Sequence, residues 1–123
     1  MTEAYWRQVG GTLVAEFPVV ARGADHGPRW TDAVILPGGP FERSTAESVA
    51  LTGQEVIVVQ AKRDRLGMYL MAQVLFSQVL VWERFRPKSV RSIALCEQDN
   101  AVLRPLLERN PGIEVVVLEK PPS

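Results

Sequence analysis

The stretch GQEVIVVQAKRDRLG, residues 53–67, contains a largely apolar run, EVIVV, that reads as a buried strand and then breaks into Gln60, Ala61 and Lys62. Strand side chains alternate between faces, so Gln60 and Lys62 share one face with Val56 and Val58, while Val59 and Ala61 take the other. An apolar row therefore ends in an amide and an amine side by side, followed at once by Arg63, Asp64 and Arg65. Asp32 stands near the start of the preceding strand, RWTDAVIL, and an antiparallel meander brings it beside the end of this one. A carboxylate, an amide oxygen and an ammonium are thus expected to converge at one sheet edge.

Outward from this stretch the pattern is regular. Residues 2–9 predict a short helix with Thr2 as its cap and Glu3 near its positive end, stopped by Gly10 and Gly11. TLVAEFPVVA and RWTDAVIL predict two strands joined through the turn-forming RGADHGP, and the strand ending at Lys62 completes a three-stranded meander. Residues 66–85 predict a helix that is apolar on almost every face and so needs cover on more than one side. VRSIALC, DNAVLRPLLERN and IEVVVLE then predict strand, helix and strand, the helix opened by an Asp/Asn cap and stopped by Pro111 and Gly112. The order αβββαβαβ implies a mixed α/β sheet flanked by helices, with a βαβ crossover in its second half.

At this point the chain resembles the restriction-endonuclease-like superfamily, whose metal-dependent nucleases carry the PD-(D/E)XK motif, and it is similar to the small resolvase-like and RecB-like members. Asp32, with QAK at 60–62 beginning 28 residues later, supplies the motif, and the αβββαβαβ order matches the superfamily core over nearly the whole chain. Thr31 stands where the motif has proline, and Gln60 where it has Asp or Glu, so one negative charge is absent.

The resemblance implies hydrolysis of DNA phosphodiesters in repair, recombination or defence. Asp32, Gln60 and Lys62 would be catalytic. Mg²⁺ or Mn²⁺ would be held by Asp32, the Gln60 side-chain oxygen and the Ala61 carbonyl, with Glu3 or Glu16 as an additional acid. Arg63 and Arg65 would hold backbone phosphates, with Arg29 and Gln73 as further nucleic-acid contacts. Eleven arginines against three lysines make the lysine at 62 a departure from this chain's habit, in keeping with a site that needs a compact ammonium. The alternative is a non-catalytic DNA-binding or assembly module of the same fold, with Gln60 marking a degenerate metal site.

Composition sets the outer bounds. The 123 residues suit one domain, 1–123, and a formal net charge of zero gives no global signature for nucleic acid or membrane, leaving any such binding to a local patch. The single cysteine, Cys96, cannot form an internal disulfide and reads as a buried apolar residue. The lack of a signal-like start and of a membrane-length apolar run points to a cytoplasmic protein. His26, with Asp25 and Arg29, falls in a loop that borders a possible substrate groove. The Met/aromatic stripe of residues 68–85 reads as core or as the face of a homodimer, which would suit cutting both strands of a duplex.

Overall fold

The computed structural model describes residues 1–20, 23, 27 and 29–119. Six strands form one sheet: β1 (Thr12–Val20), β2 (Arg29–Leu36), β3 (Glu42–Arg43), β4 (Glu55–Arg65), β5 (Ser89–Gln98) and β6 (Ile113–Val117). Their spatial order is β3-β1-β2-β4-β5-β6. β1, β2 and β4 make the antiparallel meander, while β5 and β6 add in parallel to β4. Helix α1 (Thr2–Val9) lies on one face of the sheet, and α2 (Met68–Phe85) and α3 (Leu103–Glu108) lie on the other. The short strand β3 sits in the Gly/Pro-bearing loop and pairs in parallel with the start of β1.

Alternation along the strands sorts the core into its layers. Ala33 and Ile35 of β2, Ile57 and Val59 of β4, and Ile93 and Leu95 of β5 pack with Tyr5 and Trp6 of α1. The intervening Val34, Leu36, Val56 and Val58 pack with Val81 of α2, and Ala94 and Cys96 pack with Leu70 and Val74 of the same helix. Tyr5 and Trp6 anchor α1, each worth about 2 kcal/mol or more for the apolar surface removed from water. Trp6 Nε1 also donates to the Gly11 carbonyl at 2.7 Å. Gly11 lets the chain pass close to the end of β2: its φ is +82°, and a Cβ there would sit 2.5 Å from the Leu36 oxygen.

Three local expectations shift. Met1, not Thr2, is the cap residue of α1, and its carbonyl accepts from the Tyr5 N–H at 3.1 Å. β4 runs past Lys62 to Arg65 because Arg65 pairs with Gln98 and the Leu66 N–H reaches the Gln98 carbonyl at 2.9 Å, so α2 begins only at Met68. Finally, α2 buries a single stripe, Leu70, Val74, Ser77 and Val81, and leaves Met68, Tyr69, Phe76, Val79 and Trp82 exposed. The sheet thus covers one side of the helix, and these side chains of the other remain exposed. Among the described residues, no helix is long and apolar enough to cross a membrane.

The last strand is closed off by side chains of α3. The Val115 N–H donates to Glu108 Oε2 at 3.0 Å, and the Val115 carbonyl accepts from Arg104 Nη2 at 3.2 Å. Asn100 Oδ1 accepts from the N–H groups of Val102 and Leu103, each at 3.0 Å, which makes it the capping residue expected at this helix start. Arg104 also pairs with Asp99 at 3.0 Å and with Glu108 at 3.1 Å.

Candidate active site

Main-chain pairing between β2 and β4 runs through Ile35↔Ile57, Val34↔Val58 and Ala33↔Val59 and ends there. The next step along both strands sets Asp32 beside Gln60, and side chains take over from the ladder. Gln60 Oε1 accepts the Asp32 main-chain N–H at 3.3 Å, and Asp32 Oδ2 accepts the Ala61 N–H at 2.7 Å. Gln60 Nε2 donates to Ser77 Oγ of α2 at 2.7 Å. At 3% exposure, Gln60 has both ends of its amide satisfied, which burial of such a group requires.

The expected convergence of Asp32, Gln60 and Lys62 is met only in part. Asp32 and Gln60 are in direct contact, but they border different clefts. Asp32, Ala61 and Arg63 line a cleft of about 650 Å³ on the α1 side, together with Glu3, Glu16 and Arg43. Gln60 lines a second cleft on the α2 side, and Lys62, of the same strand parity, holds its ammonium 5.5 Å from the centre of the Tyr69 ring. The alternation that placed Gln60 with Lys62 is what separates both from Ala61 and Arg63.

Two acids were candidates to make up the missing charge, and their surroundings differ. Glu3 is engaged by Arg7 and by Arg43, each at 2.6 Å. The hydrogen bond and charge of Arg43, with help from Arg7, hold its carboxyl below the usual carboxylate range. Glu16 lies between Ala15↔Ala33 and Phe17↔Thr31 in the β1/β2 register, opposite Asp32. Its φ of 52° is left-handed, and it resets the alternation of β1: Val14, Phe17 and Val19 all pack on the α2 side. Glu16 and Asp32 line the same cleft, and a smaller one with Trp30 and Thr31.

A hard divalent cation favours carboxylate and carbonyl oxygens. Among the described residues no three His, Cys, Asp or Glu side chains cluster, so an ion here would draw on the Asp32 and Glu16 carboxylates and the main-chain edge of Ala61. Mg²⁺ accepts one or two carboxylates with water completing its shell. The Gln60 oxygen, the other ligand the resemblance implies, faces the Asp32 main-chain N–H.

The remaining expected contacts divide between the faces. Arg65 Nη1 is tied to the Asp99 carbonyl at 2.7 Å, which anchors it to the turn after β5. Arg29 and Gln73 line the Gln60 cleft. His26 and Asp25 lie outside the described residues. Cys96 is fully buried, and burial pushes its thiol pKa up, as suits a core residue. Ser77 escaped the sequence reading as a site residue. Its signal was there, since it is the one polar member of the 70, 74, 77, 81 stripe that α2 turns inward.

No protein-family model matches the chain, and no curated protein matches it in sequence. Solved structures do. A repair endonuclease from Pyrococcus abyssi superposes with a TM-score of 0.54 at 18% identity, over 87% of this chain and 40% of that one. The fold is one found in a repair endonuclease. EndoMS in complex with double-stranded DNA superposes equally well, with a TM-score of 0.54 at 18% identity over 89% of this chain and 38% of that one. The chain thus spans about two fifths of the length of each, and what it shares with them is the mixed sheet and its flanking helices.

Proposed function

We propose that this chain hydrolyses phosphodiester bonds of DNA with Mg²⁺ or Mn²⁺, using the edge where β2 and β4 part as a glutamine variant of the PD-(D/E)XK site. The observation that carries this reading is the paired bond set of Asp32, in which Oδ2 takes the Ala61 N–H while Gln60 takes the Asp32 N–H. It holds the Asp32 carboxylate against β4, which supports reading Asp32 as the aspartate of the motif, in a fold also found in endonucleases.

Asp32, Glu16 and the Ala61 carbonyl are the groups that would hold the cation. When bound, the ion polarises the scissile phosphate and lowers the pKa of a water. Arg63, in the same cleft, holds a flanking phosphate, a contact indifferent to sequence and sensitive to salt. Lys62 has a flexible four-carbon stem, so its ammonium can leave Tyr69 for the edge, where it orients the attacking water and offsets charge developing on the phosphate. Gln60 acts through Asp32 as a positioning residue.

A second reading, a non-catalytic DNA-binding module, is favoured by one observation: the Gln60 amide is buried and committed to Ser77 and to Asp32. Incubation of the purified chain with linear, branched and single-stranded DNA separates the two. The nuclease reading expects cleavage in Mn²⁺ or Mg²⁺ that EDTA stops and that Asp32→Ala and Lys62→Ala abolish with the circular dichroism spectrum unchanged. DNA binding without metal-dependent cleavage establishes the module instead.

A further inference from the structure

The second cleft, on the α2 side, has a composition that the phosphodiester site does not explain. It measures about 720 Å³ and is lined by Arg29 and Trp30 of β2, Gln60 of β4, and Tyr69, Gln73 and Phe76 of α2, among others. Trp30, Tyr69 and Phe76 are 57%, 69% and 68% exposed, although aromatic side chains of this size ordinarily go to the core. Among the described residues that line it there is no carboxylate, and the one charged side chain is an arginine. The Lys62 ammonium stands over Tyr69 at its border, and the ring stays largely exposed even so.

We infer that this cleft takes an unpaired nucleobase of single-stranded or locally opened DNA, with Trp30, Tyr69 and Phe76 as stacking surfaces and the Gln73 amide at the base edge. The inference rests on the nuclease reading for its ligand class and names the form of DNA that the site engages. Each feature answers a property of that ligand. Every base offers a flat face that stacks on an aromatic ring, and its edge presents neighbouring donors and acceptors that an amide matches. The phosphates beside it favour a basic border, which the Lys62 ammonium over Tyr69 supplies. β4 joins the two clefts: Gln60 borders this one while Ala61, the next residue, borders the other. A strand that crosses the β2/β4 gap would present a phosphate to Asp32 and a base to Tyr69. A paired base is already stacked on its neighbours and exposes no free face, so duplex DNA without an opened position gains nothing here.

Binding is measured with the full chain in EDTA, by fluorescence anisotropy of a labelled single-stranded oligonucleotide and of its duplex, together with tryptophan emission. Single strands are expected to bind more tightly and to quench emission, with the quench lost in Trp30→Ala. Stacking is worth roughly 1–3 kcal/mol per base, so Trp30→Ala and Tyr69→Ala should each weaken single-strand binding roughly 5- to 150-fold. Both residues are exposed, so the variants should melt as the parent does. Affinities within twofold of the parent, or duplex bound as tightly as single strand without quenching, would overturn the inference. So would a sedimentation result in which Phe76→Ala turns a dimer into a monomer and leaves single-strand affinity unchanged, since that assigns the face to a second copy of the chain. If no DNA is cut while the Trp30-dependent quench persists, the nuclease reading falls and the base cleft stands. If DNA is cut while the aromatic variants bind unchanged, the base cleft alone falls.

Discussion

The bond between Gln60 and Ser77 can be tested as a pair. Gln60→Met keeps the length of the side chain and removes the amide, so the 2.7 Å bond to Ser77 and the longer 3.3 Å bond from the Asp32 N–H are both lost. The Asp32 N–H is near solvent and regains water, and the Ser77 hydroxyl can turn onto a carbonyl of its own helix. The cost should therefore be about 2 kcal/mol, with most of it from the buried bond. Ser77→Ala leaves the Gln60 Nε2 donor buried without a partner, and that too should cost about 2 kcal/mol. The double variant has neither an unpaired donor nor an unpaired hydroxyl, so it should lie only about 2 kcal/mol below the parent rather than the sum of about 4 kcal/mol. Urea unfolding of the four proteins measures this coupling, expected near 2 kcal/mol, with slopes that stay equal if the unfolded states are alike. Additivity within about 0.5 kcal/mol would show that the two groups do not depend on each other and would remove the physical basis for Gln60 as a brace.

Three further outcomes follow from features away from this bond. Gly112→Ala should destabilise by at least about 1 kcal/mol in thermal unfolding, because φ is +79° and the added Cβ would meet the Val90 oxygen at 3.0 Å and Gln78 Nε2 at 2.9 Å. Arg43 and Arg7 hold the Glu3 carboxyl below its ordinary value, so the ion pairs contribute above that value and the contribution is lost as pH falls through the depressed one. The stability difference between the parent and Glu3→Gln should accordingly be constant near neutrality and shrink below about pH 4, as read by melting at a series of pH values. Cys96 should resist alkylation in the folded protein and react at once in denaturant, because it is fully buried and burial disfavours its thiolate.

The meander, the two parallel additions and the three helices were legible because each rests on local signals: alternation, caps, and glycines or prolines at the ends. Asp32 beside Gln60 was legible for the same reason, since antiparallel register follows from which residues must face the core. Two things were not. Parity fixed Gln60 and Lys62 to one face, but it could not say that the Asp32 carboxylate would border the other, because that depends on the strands parting after Ala33↔Val59. Nor could it foresee that Glu16 would adopt a left-handed conformation and turn Phe17 to the α2 side, since nothing in AEFP demands a change of alternation. The outer face of α2 was expected to need cover, and its exposure is a property of the tertiary arrangement rather than of the helix itself.

The end of the sheet at β6 limits how this protein can meet other molecules. Because Glu108 and Arg104 occupy both main-chain groups of Val115, an incoming strand would have to displace two charged side chains that are also paired with each other before it could bond at the middle of β6. At the opposite end, β3 offers only two residues. An edge guarded by a pair of opposed charges is a poor place for a strand to add, so at β6 recognition falls to side chains rather than to the main chain.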